Sequence, residues 1–211
     1  MKKTGLTILL ALIVAGVSAQ KDPEAVKVLT EFGNKATSAP SVRIDFGITA
    51  YDSQEDNETT MEGSAVIRGD SYRVTLPDNI LLADGNAVWN FMPDLNEVTI
   101  TESDPTDESF LSRPSLLFTM YREDYKVRML EQSPRDWTID LYPEDLNMNL
   151  VRIRMIIGKQ NHDLISAEYK TKDGITLTLT ALKYDLSFSP PAGYFTFNPA
   201  DHKGVEVIDM R

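Results

Sequence analysis

The chain has 211 residues, no cysteine, and 32 acidic against 21 basic side chains, for a formal net charge of −11. Such an acidic surface argues against nucleic acid and against anionic bilayers as partners. The missing thiols exclude disulfides, cysteine nucleophiles and a lipid anchor on cysteine.

The N-terminus reads Met1-Lys2-Lys3, then an uncharged apolar run from Leu6 to Val17, then Val17-Ser18-Ala19 before Gln20. Charged, apolar and small residues in that order describe a secretory signal peptide. The run is about a dozen residues long, where a membrane-spanning helix needs roughly 20. Residues 1–19 are therefore expected to be a signal peptide cleaved after Ala19. Residues 20–211 are expected to form one exported domain in the periplasm.

Asp22-Pro23-Glu24 makes a good helix start, with an N-cap, a proline at the first helical position and an acid in the first turn. Ala25, Leu29, Phe32 and Ala36 follow at helical spacing, which predicts one amphipathic helix from Pro23 to Thr37, weakened at its far end by Gly33. From Ser41 the period becomes two. Val42, Ile44, Phe46, Ile48 and Ala50 alternate with Arg43, Asp45, Thr49 and Tyr51, as in a half-buried antiparallel strand. The acidic stretch Asp52 to Glu58 lacks the central glycine and terminal glutamate of a calcium loop and reads as a hairpin tip.

Short strands are then predicted over 61–68, 72–76, 80–83, 87–92 and 97–101, bounded by turn pairs such as Gly69-Asp70, Asp84-Gly85 and Pro93-Asp94. Between Thr101 and Tyr121 the pattern breaks. A polar loop precedes Phe110, Leu111, Leu116, Leu117, Phe118, Met120 and Tyr121, which predicts two short, apolar helical pieces joined near Pro114. Strands resume over 125–131, 137–142, 151–157, 164–170 and 175–182. The fold class is mainly β (α+β): an incomplete antiparallel β-barrel of about eleven strands. Its concave face is expected to be covered by the N-terminal helix and a short central helical lid.

Catalytic groupings are absent from the pattern. His162, in the turn Asn161-His162-Asp163, and His202 read as solvent-facing turn residues. Neither a phosphate-cradling glycine loop nor a nucleophile elbow occurs, so no cofactor, no metal and no enzymatic activity is expected. A carboxylate pair assembled in space would be the one route to an exported enzyme.

Asp84-Gly85-Asn86-Ala87-Val88-Trp89, after Ile80-Leu81-Leu82, resembles the central signature of the LolA outer-membrane lipoprotein carriers. Gly63 leading to Val66-Ile67-Arg68 resembles their preceding strand, and Phe195-Thr196-Phe197-Asn198-Pro199 resembles their F-x-F-x-P closing strand. Gly204 to Asp209 is like the tail of the Bacteroidetes branch. The resemblance implies a hydrophobic cavity that receives acyl chains of lipoproteins. It also implies an inner-membrane lipoprotein-releasing ABC transporter that loads the carrier, a possible outer-membrane acceptor, and a monomer.

On that resemblance the lining is expected from Ile44, Phe46 and Ile48, with Trp89 and Phe91 at the centre and Ile153, Met155, Leu177 and Leu179 beyond. Leu116, Leu117 and Phe118 are the expected lid. Better-known members place an arginine of a K-R-P run against the lid. Here Arg68-Gly69-Asp70 stands in that place, and Arg68 is the candidate lid contact. A lipid- or lipoprotein-sensing regulator of the same fold is the alternative function.

Overall fold

In the computed structural model, which describes residues 21–104, 112–122 and 124–211, Asp22 caps the one α-helix among the described residues. Its carboxylate accepts from the amides of Glu24 (2.9 Å) and Ala25 (3.3 Å). The helix α1 (Pro23–Ser38) buries Ala25, Val28, Leu29, Phe32, Gly33 and Ala36 on one face. The expected signal peptide, residues 1–19, and residues Phe110 and Leu111 lie outside the described residues.

Twelve strands follow among the described residues: β1 (Val42–Asp52), β2 (Asn57–Arg68), β3 (Ser71–Thr75), β4 (Ile80–Asp84), β5 (Ala87–Met92), β6 (Glu97–Glu102), β7 (Tyr125–Gln132), β8 (Asp136–Pro143), β9 (Leu150–Gly158), β10 (Leu164–Thr171), β11 (Ile175–Asp185) and β12 (Glu206–Asp209). They form one sheet in the order β12-β6-β5-β4-β3-β2-β1-β11-β10-β9-β8-β7. β7 and β12 do not pair, so the barrel is unclosed. Each pairing is antiparallel except that of β12 with β6, which is parallel.

Register decides which residues share a face. Val42 pairs with Ile67, Ile44 with Ala65 and Tyr184, and Phe46 with Gly63. Tyr72 pairs with Ala83, and Met155 lies between Ile139 and Ala167. These residues, with those of α1, make one buried cluster on the inner face. A Cβ at Gly63 would come within 2.9 Å of the Phe46 ring and 2.7 Å of the Thr75 carbonyl oxygen, so glycine makes room for the aromatic ring.

The outer face of β1 to β6 carries a second apolar layer, covered by the segment after β11. Arg43 lies over Phe188 (5.5 Å), Arg73 over Tyr194 (5.3 Å) and Arg68 over Phe195 (4.8 Å). Phe197 and His202 pack on Phe91 at 5.0 and 4.4 Å. Phe195 to Pro199, expected as a closing strand, is instead part of this strap: it runs through turns into a short 3-10 helix, Pro199–Asp201. Its alternating aromatic residues serve sheet-face packing, and the strand that covers the β6 edge is β12.

The central insertion also differs from expectation. It forms two 3-10 turns, Pro114–Phe118 and Met120–Arg122, broken at Thr119, with Pro114 starting the first turn. That placement suits a residue with no amide hydrogen to donate. Neither histidine is a free turn residue. His202 stacks on Phe197 at 4.6 Å, while Nε2 of His162 lies 2.8 Å from Glu31 Oε2 and its ring is 5.1 Å from Trp137.

Candidate functional site

α1 is tied to one half of the sheet. The Asp22 amide donates to the Val127 carbonyl (3.0 Å), and the Met129 amide donates to Asp22 Oδ2 (3.3 Å). At the other end Lys35 pairs with Asp163 (2.8 Å) beside the Glu31–His162 contact. The helix therefore covers the inner face from β7 towards β10. The two 3-10 turns lie along its other flank. There the Phe118 ring stands 5.5 Å from Phe32, with Leu117, Phe118 and Tyr121 buried.

Beyond these turns the inner face is only partly covered. Val74, Leu81 and Val88 are half-buried apolar residues there, as are Ile48 and Leu179 towards the far ends of β1 and β11. One cavity of about 220 Å³ lies between α1, β1, β2 and the first turn, bordered by Ala36, Val42, Ile67, Leu116 and Phe118. A second, of about 350 Å³, lies over β3 to β6 and is bordered by Tyr72, Leu81, Val88, Thr101 and Arg113. Residues 112–119 border both, Ser112 and Arg113 the larger cavity and Leu116 and Phe118 the smaller.

Most of the expected lining comes together. Ile44, Phe46, Ile153, Met155, Leu117 and Phe118 belong to the inner buried cluster, with Ile48 and Leu179 packed against it. Leu177 shares that face through its pairing with Ala50, and Leu116 borders the smaller cavity. Trp89 and Phe91 are not brought there. Trp89 pairs with Leu82 and Ile100, and Phe91 with Ile80 and Val98, all on the outer face beneath the strap. The inner residue of that part of β5 is Val88.

Arg68 likewise points outward, onto Phe195. The ion pair to the lid is made two residues later, where Asp70 Oδ1 lies 3.9 Å from Arg113 Nη2. Several inner residues carried little sequence signal. Met120, Met129 and Met148 pack against the buried cluster alongside Met155, and Met61 faces inward opposite Ile48 with 41% exposure. Methionine is flexible and polarisable, so such a lining adapts to apolar groups of varied shape.

Electrostatics separate the two faces. On the inner face, burial foremost, with the charge of Asp163, pushes the Tyr184 phenol well up, so it stays neutral. On the outer face of β8 and β9, Asp140 has no exposure and accepts a two-pronged contact from Arg154 (2.8 and 3.0 Å) and a bond from Tyr142 (2.9 Å). Burial pushes its carboxyl up. The bonds from Arg154 and Tyr142, with the charges of Arg154 and Arg152, outweigh burial and leave the carboxyl below its usual value. Among the described residues no three His, Asp or Glu side chains gather as metal ligands.

A family model described as "Outer membrane lipoprotein carrier protein LolA" matches residues 41–198. No curated protein matches the chain in sequence. Among solved structures, an uncharacterized conserved protein from Thermus thermophilus is similar at 11% identity over 88% of this chain and 99% of that one, with a TM-score of 0.54. That likeness is one of fold. A LolA superfamily protein from Nitrosomonas europaea is 13% identical over 82% and 97% of the two chains, at a TM-score of 0.45. A putative outer membrane lipoprotein-sorting protein domain from Vibrio parahaemolyticus is 10% identical over 82% and 96%, at 0.46.

Proposed function

The chain belongs to the LolA family of outer membrane lipoprotein carrier proteins, and we propose that it carries lipoproteins through the periplasm with their acyl chains held between the inner sheet face and the lid. The family is one of carriers, not of catalysts. The observation that supports the reading here is the half-buried apolar surface of Leu81, Val88, Ile48 and Leu179 on the inner face, with Ser112 and Arg113, just before the 3-10 turns, bordering the cavity at its Leu81 and Val88 end.

The physics of the cargo sets the requirement. Burying hydrocarbon is favourable by about 0.8 kcal/mol per CH₂, so one long acyl chain left in water costs on the order of 10 kcal/mol. An apolar lining removes that cost without directional contacts. The two cavities measure about 220 and 350 Å³. Ligand pockets usually run from about 300 to 1,000 Å³, so the larger cavity falls at the low end of that range. In this reading loading moves the lid off the sheet, and the methionines adjust to the chains that enter.

In this reading the lining is Ile44, Phe46, Ile48, Ile153, Met155, Leu177 and Leu179 with Leu81 and Val88, under a lid of Leu116, Leu117 and Phe118. Trp89 and Phe91 serve the strap. An inner-membrane ABC transporter loads the carrier, and an outer-membrane acceptor, where one exists, unloads it. In this reading the signal peptide is removed after Ala19 and residues 20–211 act as one domain, with a Gly204 to Asp209 tail like that of the Bacteroidetes branch. The test is lipoprotein release. Inner-membrane vesicles with ATP should shed lipoproteins into a soluble one-to-one complex with this protein, and vesicles that shed none in its presence would end the proposal.

A further inference from the structure

Gly33 breaks a local rule. It lies inside α1, where glycine is the least favourable residue after proline, yet it is buried rather than placed at a bend or an end. The cause lies across the helix–lid boundary. A Cβ built on Gly33 would overlap the backbone carbonyl oxygen of Phe118 and come 3.4 Å from Cε1 of Tyr121. A side-chain tip could swing away, but a backbone oxygen moves only if the lid moves. Phe118 is also the last residue of the first lid turn, and its ring rests 5.5 Å from Phe32, the residue beside Gly33.

The other end of the lid is held differently. Lys21 Nζ donates to the carbonyls of Tyr121 (3.2 Å) and Arg122 (2.8 Å), and Arg122 Nη2 donates to Asn34 Oδ1 (3.5 Å). Those contacts hold the second turn from outside the cavity. The Pro114 to Phe118 end, which borders the cavity through Leu116 and Phe118, rests on the gap left by the absent side chain.

We propose that Gly33 is the positioning residue on which the lid seats, and that its missing side chain sets the rate at which acyl cargo enters and leaves. The part concerning cargo rests on the carrier reading. The seat itself does not. A single methyl at position 33 strengthens the helix and lifts the lid, so its two effects oppose each other and can be told apart.

The test compares Gly33→Ala with Lys27→Ala, a change at an exposed position of the same helix. Amide exchange is followed over residues 113–122, and release of a fluorescent fatty-acyl probe by stopped flow. Overpacking one methyl against a backbone oxygen should speed both lid exchange and probe release by about tenfold, with Lys27→Ala unchanged. Rates in Gly33→Ala equal to wild type would overturn the inference. So would failure of Gly33→Ala to fold, which would make Gly33 a core packing position instead. Wild-type protein that takes up no acyl probe would count against the carrier reading alone, leaving lid exchange to judge the seat.

Discussion

Asp70, in the turn between β2 and β3, holds its Oδ1 3.9 Å from Nη2 of Arg113, one residue before the first lid turn. The Asp70 side chain is 75% exposed and that of Arg113 27%. An ion pair this long and this wet contributes about 0–1 kcal/mol. In the carrier reading the lid opens to load and release cargo, and a weak pair biases closure without blocking release. Asp70→Lys turns the attraction into repulsion. It should speed acyl-probe release several-fold while leaving the thermal midpoint nearly unchanged, and high salt should mimic it in the wild type. Equal release rates in the two proteins would show that the pair does not fasten the lid.

Neighbouring residues of β1 test the assignment of faces. Ile48 faces inward opposite Leu179 and Met61, whereas Thr49 faces outward between Thr60 and Thr178. A carboxylate placed on the apolar path should weaken acyl-probe affinity by about tenfold or more. Ile48→Asp should show that loss in a titration, and Thr49→Asp should bind as wild type does.

Phe91 gives the complementary case. It is buried under the strap against Phe197 and His202 rather than in the cavity. Phe91→Ala should lower unfolding stability by about 3 kcal/mol, as large-to-small core changes do. The folded fraction should keep wild-type acyl affinity. A selective loss of affinity would return Phe91 to the lining.

Asp140 supplies the pH dependence. Its folded carboxyl lies below the unfolded value near 4, so it contributes stability above that value and loses it as pH falls through the folded value. Wild-type stability should therefore drop below about pH 4. Asp140→Asn should cost about 3 kcal/mol at neutral pH, near the low end for breaking a buried pair, because Arg154 keeps a third of its surface in water. The gap between the two proteins should narrow as pH falls through the folded carboxyl's value, as chemical unfolding over the acid range would show.

Much of the fold was legible in local pattern. The Asp22 cap, the alternation of β1 and the turn pairs at Gly69-Asp70 and Asp84-Gly85 carry their own geometry, and the elements lie within a few residues of where those signals put them. The site was less legible for reasons that are not local. β5 is apolar on both faces, Val88 on one and Trp89 and Phe91 on the other, because the strap creates a second buried layer. Alternation alone could not tell which layer was the cavity. Only cross-strand register, from Phe46 opposite Gly63 through Tyr72 opposite Ala83, carries the inner face across to Val88.

The strap was expected as a strand from the resemblance of Phe195 to Pro199 to a closing strand, and nothing local to it shows that its aromatic residues pack on the outer sheet face. Gly33 read only as a weak point near the far end of the helix, because the backbone it makes room for lies 85 positions away at Phe118. Asp70 and Arg113 are similarly distant in sequence, and no spacing rule pairs them.

The central claim is that acyl chains lie on the inner face beneath the lid. A fatty-acyl probe bearing a photoreactive diazirine, crosslinked to the purified protein and mapped by mass spectrometry, tests it most directly. The carrier reading predicts adducts on Ile48, Leu81, Val88, Leu116 and Leu179. Adducts confined to the outer-face residues Leu82, Trp89 and Ile100, or no saturable labelling at all, would contradict it.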